Sequence, residues 1–548
     1  MSKTPKIEDV FRTVQSTVKF DYRRPQQSPR TRRPSAAPPL PFAQVLDFAF
    51  PGEITDSKVV QVGEIIYVGD GVVHVIGLDR ATIDEIIEIN TATAGIQRAL
   101  ILGILETRVE AVVLGDYSKI KRGDQARSTG TKLRMPVGEE VLGRVVNPLG
   151  EPIDGRGPVK NSGFRNVEFA APGVLDRTPI SQPLHTGVMV IDTTIPIGRG
   201  QRELIIGDRK TGKTRTMLDI ICNQKGMGVY CVYVGVGVQA AKAKSSIKML
   251  ADRGAMDYTT AVIALANEPP SLQYIAPYAG TAIAEYFMYQ GKNCLIVYDD
   301  LSKQAKAYRQ VSLLLKRSPG RDAYPGDIFF LHSRLLERAC RTSEDLGDGS
   351  ITALPVAETQ AGDVSDYIIT NLMSITDGHI YLDANLMHEG ILPAVDSGTS
   401  VSRIGGKVQT PMLRKVGELA GRVLARYNEV KSFETINTEV SDETLRDIKR
   451  GKRVRELLAQ DSALTLSSDE EVLILAIGTS SRMDHLELPQ VVTFKENIIP
   501  YYRQLNLSEF KKLADTAKDI KELDKLIDQI FIGFCKKAGL PIMAGETK

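Results

Sequence analysis

Residues 203 to 214 read Glu203-Leu204-Ile205-Ile206-Gly207-Asp208-Arg209-Lys210-Thr211-Gly212-Lys213-Thr214, an apolar strand pattern that runs into G-x-x-x-x-G-K-[ST] and then a helical stretch. Glycines at both ends of such a loop let backbone N–H groups turn inward around phosphates. Lys213 then reaches the outer phosphate oxygens, and Thr214 offers its hydroxyl to Mg²⁺. The helix that follows adds the positive end of its dipole. A glycine-rich turn with a surface lysine would not require a strand before it and a helix after it. The stretch from Gly207 to Thr214 is therefore the candidate nucleotide phosphate-binding loop.

A site of this kind also needs a carboxylate at a strand end to hold the metal shell. Cys294-Leu295-Ile296-Val297-Tyr298-Asp299-Asp300 supplies one. Asp299 is the expected metal-side carboxylate, acting through water beside Thr214, and Asp300 is the expected cap of the following turn. Hydrolysis further requires a group that orients or deprotonates the attacking water, worth roughly 10² to 10⁴ in rate.

At 548 residues the chain is too long for one core, so two to four domains are expected. Its 69 basic and 67 acidic residues leave a net charge of +2, which argues against nucleic acid as the main partner. No apolar run is long enough to span a membrane, and the N-terminus lacks the apolar centre of a secretory signal. Membrane association is then expected only through partners. The five cysteines are widely spaced and odd in number, which fits buried, reduced thiols. The six histidines show no H-E-x-x-H or Cys/His ligand spacing, so no transition-metal site is expected.

The elements that must position these residues fall into four segments. Residues 1–56 are basic and proline-rich, dense in Pro, Arg, Ser and Ala from Arg30 to Pro41, and read as a tether. Glu8, Asp9 and the prolines argue against an organelle transit peptide there. Residues 57–133 carry short β-rich runs such as Val72-Ile76 and Ala111-Leu114 with glycine-aspartate turns, which predicts a small antiparallel barrel. Between 134 and 409, strand-like runs alternate with helical stretches, the pattern of a mostly parallel α/β sheet. Strands are expected at Leu204-Ile206, Gly228-Val236, Thr260-Ala264 and Cys294-Tyr298. Residues 410–548 read as helical, with a capping box at Ser468-Asp469-Glu470-Glu471 and one apolar helical face through Ile520, Leu523, Ile527, Ile530, Phe531 and Phe534.

The stretch from Pro196 to Leu204 with the loop after it resembles the alpha subunits of F-type ATP synthases. So do Val112 to Ile120, Tyr298 to Gln304, Gly320 to Asp327 and Glu358 to Ser365. The resemblance covers about residues 57 to 530. It implies a β-barrel crown, a central RecA-like nucleotide domain and a C-terminal helical domain, in agreement with the segments above. It further implies a site for ATP or ADP with Mg²⁺, and an alternating 3:3 ring with beta subunits around a gamma central stalk, the N-terminus reaching a delta/b-type peripheral stalk. The expected setting is the cytoplasmic face of a bacterial inner membrane or, alternatively, the matrix or stroma side of an organelle membrane, with proton or sodium transport carried by other subunits.

In that family the beta subunit carries a catalytic glutamate just after the strand that follows the loop helix. Here the corresponding strand ends Gly235-Val236-Gly237-Val238-Gln239, with no carboxylate, so the resemblance implies a regulatory, non-catalytic nucleotide site. Pro393 to Arg403 matches the family signature P-x-x-[DN]-x-x-x-S-x-S followed by arginine, which implies that Arg403 serves as an arginine finger for the neighbouring subunit. Gln460 falls in the nucleotide-contacting position of the C-terminal part. Lys210 stands where the family has Gln, Leu392 where it has Arg, and Asp461-Ser462 where Gln460 is followed by Gly-Gln, so base recognition departs from the pattern. Two other readings stay open. An export-type ATPase of the same fold would need the missing glutamate, and a hexameric RNA translocase similar to termination factor Rho would need basic and aromatic strands that Val72-Ile76 and Ala111-Leu114 lack. A structural ring component that holds nucleotide as a staple is a third.

Overall fold

The computed structural model describes residues 61–91, 95–431, 441–461 and 464–542. The tether expected over 1–56 and residue Ser462 lie outside them.

Six strands, β1 Val62–Gly69, β2 Val72–Ile76, β3 Glu85–Thr91, β4 Gly95–Ile104, β5 Val109–Val113 and β6 Gln125–Lys132, close an antiparallel barrel in the order β1-β2-β5-β4-β3-β6. Alternating side chains such as Ile65, Val73, Val75, Ile87, Ile89 and Ile101 fill its interior. Closure removes the free strand edges that so small a sheet would otherwise expose. The barrel sits on the next domain through Val72 and Val112, which meet Val311 and Leu315, and through Ser271, whose hydroxyl donates to Val113 O at 2.7 Å.

The central sheet has eight strands: β7 Val145–Val146, β8 Glu203–Gly207, β9 Val229–Val238, β10 Thr259–Leu265, β11 Asn293–Asp299, β12 Ser350–Glu358, β13 Gly378–Leu382 and β14 Val401–Ser402. Their order is β14-β13-β8-β12-β11-β9-β10-β7, all parallel except the edge strand β14. The four strands expected from sequence are present, each longer by one or two residues. They are buried along nearly their whole length, as strands covered by helices on both faces must be. Crossover helices α1 Lys213–Asn223, α2 Ala240–Asp252, α3 Pro270–Met288 and α4 Leu301–Leu314 supply that cover.

From Pro411 the chain is helical, with α5 Pro411–Val430, α6 Asp442–Leu458, α7 Ser468–Gly478, α8 Leu488–Leu505, α9 Ser508–Thr516 and α10 Asp524–Ala538. Helix α7 is buried all round and forms the centre of this bundle, where each large aliphatic side chain contributes roughly 1.5–3 kcal/mol. Its capping box is one residue earlier than expected: Ser467 is the N-cap, and its N–H donates to Glu470 at 3.0 Å. Glu471 cannot serve because it turns into the interior beside His185 and Asp192. The apolar face near the C-terminus is also interrupted. Asp519 caps a short 3-10 turn at Ile520–Glu522, and the helix proper starts at Asp524, although Leu523, Ile527, Ile530, Phe531 and Phe534 still enter one core. None of the five cysteines is in a disulfide, and four of them are buried. Among the described residues no helix is long and apolar enough to cross a membrane.

Candidate functional site

Parallel register brings the carboxyl ends of β8, β12 and β11 together. Gly207 pairs with Glu358 on one side and Leu382 on the other, and Gly235 pairs with Asp299. Loops at this edge of a parallel sheet form the natural crevice for a ligand. Gly207 has φ 156°, and a Cβ there would lie 2.6 Å from Leu382 O, so only glycine lets the chain leave the strand here. Gly212, with φ 93°, then caps α1 without any side chain of its own, which leaves the first N–H groups of the helix bare.

The loop is held from behind. Asp208 accepts Thr359 Oγ1 at 2.6 Å and the Gly362 N–H at 2.9 Å, and Thr211 Oγ1 donates to Asp208 O at 2.9 Å. Arg209 pairs with Glu358 at 2.9 Å. Lys210 is exposed and adopts positive φ (65°). Lys213 folds back over the loop, its Nζ donating to Gly207 O at 2.7 Å and to Asp208 O. Burial lowers its pKa, and the carboxylates of Glu358, Asp300, Asp299 and Asp208 oppose that loss of charge. An anionic phosphate would give this ammonium the partner it takes here from carbonyls.

Thr214 and Asp299, expected as metal-side groups, meet: Thr214 Oγ1 donates to Asp299 Oδ2 at 3.0 Å. A hydroxyl and a carboxylate oxygen form the hard donor set that Mg²⁺ prefers, so these residues fit the ion. The fully buried Tyr233 also donates its hydroxyl to Asp299 Oδ2 at 3.0 Å. Asp300 caps α4 by accepting the Lys303 N–H at 2.7 Å, as expected, and burial lifts its carboxyl to about 6. The end of β9 offers no acid. Val238 is buried, and Gln239 is the exposed residue preceding α2.

Beside the loop, Thr211, Gly212 and Thr216 share a mainly apolar cleft of about 170 Å³ with Leu392, Pro393, Gln460 and Leu464. Gln460 lines it, but its amide is already engaged: Oε1 accepts the Met189 N–H at 3.0 Å, and Nε2 donates to Gly187 O at 2.7 Å. It shapes the wall and leaves an apolar slot suited to a flat base. Arg403 is not in this cleft. It follows the edge strand β14, where its N–H donates to Asp377 O at 2.9 Å, and its side chain is exposed. Among the described residues no ion pair or side-chain hydrogen bond holds its guanidinium.

Sequence spacing missed a largely buried titratable cluster formed by His185, Asp192 and Glu471. His185 Nδ1 lies 3.0 Å from Asp192 Oδ2, and Nε2 lies 2.7 Å from Leu466 O. Burial works against the imidazolium, but Asp192 and Glu471 prevail and hold its pKa at about 10. Burial, with Asp192 nearby, pushes Glu471 well above the usual carboxyl range. Both groups therefore bind protons in the folded chain that unfolding releases. The stabilisation from His185 is complete below pH 6.5 and is lost as the pH rises towards 10, and Glu471 acts in the same direction. The thermal midpoint of the full chain should fall more steeply over that range than in a His185→Gln/Glu471→Gln variant. Parallel curves would contradict this.

Comparison with known proteins agrees with this geometry. Residues 187–402 match the family model described as ATP synthase alpha/beta family, nucleotide-binding domain. Residues 409–534 match ATP synthase alpha/beta chain, C terminal domain. ATP synthase subunit alpha of Streptococcus mutans is 47% identical over 472 residues, covering 86% of this chain and 93% of that one. The chain belongs to the ATP synthase alpha/beta family. Within that family it is an alpha-subunit homologue, a nucleotide-binding component of the catalytic head. The family match spans the loop, both aspartates and the β14 edge, and the C-terminal match covers Gln460.

Proposed function

We propose that this chain is the non-catalytic, regulatory alpha subunit of an ATP synthase head. It binds Mg-ATP through Gly207 to Thr214 with Asp299, and it assists turnover next door through Arg403. The observation that carries the reading is the end of β9, where Val238 and Gln239 stand in place of an acid. The neighbouring carboxylates have other partners: Asp208 holds Thr359 and Gly362, Glu358 pairs with Arg209, Asp300 caps α4, and Asp299 faces Thr214. Each is engaged in holding the loop, a helix start or the metal-side hydroxyl. Loss of a base that deprotonates the attacking water costs roughly 10² to 10⁴ in rate, which separates a binding site from a catalytic one. The same observation disfavours a self-sufficient export-type motor.

When bound, Mg²⁺ would neutralise phosphate charge, with Thr214 and Asp299 holding it. Lys213 and the bare N-terminus of α1 would orient the phosphates, while the cleft at Leu392 and Gln460 would receive the base. Partners on this reading are beta subunits alternating with this chain, a gamma stalk and a peripheral stalk, with the membrane reached only through other subunits. The test is reconstitution with beta and gamma subunits. ATP hydrolysis should arise only in the mixture and co-elute with the assembled ring. A mixture no more active than its separate components would refute the reading.

A further inference from the structure

The turn that lacks a catalytic acid brings in a cation instead. Lys242, in the first turn of α2, places Nζ 3.1 Å from Thr214 Oγ1 and 3.9 Å from Asp299 Oδ2. These are the two oxygens that a P-loop site uses on the metal side. Tyr233 and Thr214 both donate to the same carboxylate oxygen, so the aspartate is fixed and its charge faces the ammonium. Lys242 is half-exposed and pairs with no other carboxylate among the described residues, so it rests on this pair while keeping a flexible stem. An ammonium and a divalent cation cannot occupy one pair of oxygens together, because like charges a few ångströms apart repel strongly in a partly desolvated crevice.

We infer that Lys242 is a tethered counter-ion standing in for the metal, so that this chain binds a metal-free nucleoside triphosphate nearly as well as the magnesium complex. In the metal-free state the Lys242 ammonium, already oriented by Thr214 and Asp299, turns its remaining N–H donors towards the outer phosphate oxygens. With Lys213 it brings a second ammonium to the outer phosphate oxygens. Mg²⁺ then competes with Lys242 for Thr214 and Asp299, and its net benefit to binding is small.

This inference rests on the nucleotide-site reading above, and the experiment separates the two. ATP binding to the full chain is measured by titration calorimetry with Mg²⁺ and with excess chelator, for the native protein, Lys242→Ala and Lys242→Gln. The native chain should lose no more than about threefold in affinity on chelation. The variants should lose about tenfold to a hundredfold, the value of one charge-assisted contact. A native chain that loses as much as the variants overturns the inference while leaving the nucleotide site intact. Should a variant fail to fold, the native ratio alone decides, since a strict metal requirement contradicts the role given to Lys242. Absence of ATP binding in every protein and condition refutes the nucleotide-site reading and the inference with it.

Discussion

Replacing Arg403 with Ala is expected to lower steady-state ATP hydrolysis by the reconstituted head about 10³- to 10⁵-fold, equivalent to roughly 4–7 kcal/mol at the transition state. The side chain is exposed and holds no ion pair or side-chain hydrogen bond among the described residues, so the fold should survive its removal. Its backbone, by contrast, is fixed to the sheet. β14 pairs with β13, Ser402 Oγ donates to Pro196 O at 2.9 Å, and the Arg403 N–H donates to Asp377 O. A guanidinium displayed from a rigid strand edge, with no ion partner among the described residues, suits charge that develops in an adjacent subunit. Arg403→Lys should restore little of the rate, because an ammonium lacks the planar fork that meets phosphate oxygens in pairs. Rings of the variant should still assemble and bind nucleotide. A drop of less than tenfold would remove Arg403 from catalysis.

Breaking the buried charge network around Glu285 should cause the largest loss of stability. Glu285, on α3, accepts Arg338 Nε and Arg165 Nε at 2.7 Å each, and Arg338 also donates to Val167 O at 2.7 Å. Glu285 and Arg338 are both fully buried. Burial opposes the carboxylate, yet the two arginines hold its pKa below the ordinary value, so the charged network persists in the interior. Glu285→Gln keeps the shape but leaves Arg338 buried against a neutral amide, at a cost of about 3–5 kcal/mol. For a domain of this size that corresponds to roughly 6–20 °C in thermal midpoint. A shift within 2 °C or so would show that the network relaxes or admits water.

What the sequence revealed about this molecule was mostly local. The loop from Gly207 to Thr214 and the strand that ends at Asp299 are contiguous stretches, and glycine, lysine and aspartate at those spacings serve few purposes besides holding phosphate and metal. The barrel and the parallel sheet were legible because buried strands need apolar runs and turns need glycine or aspartate. What the sequence hid depends on register. Tyr233, Lys242 and Thr359 lie outside the loop and reach Asp299, Thr214 and Asp208 only because β8, β9, β11 and β12 align as they do. Glu285, Arg165 and Arg338 converge in the same way, and no spacing rule announces them. The cap of α7 shows a finer limit: Ser467/Glu470 and Ser468/Glu471 satisfy the same local rule. Tertiary burial of Glu471 decides between them.

Gln460, expected to touch nucleotide, spends its amide on Met189 and Gly187 and acts on the cleft by shape. In the phosphate loop, by contrast, Lys213 folds onto Gly207 O and the N-terminus of α1 carries no side-chain cap.

Whether this site holds ATP without cleaving it is decided by the fate of ATP bound to the purified chain alone. Radiolabelled ATP is loaded, unbound nucleotide is removed, and the bound label is analysed over time after acid quench. The label should stay as ATP, with no release of phosphate above the uncatalysed rate. Conversion of bound ATP to ADP, followed by further rounds when ATP is added, would contradict the non-catalytic assignment and make this chain a catalyst in its own right.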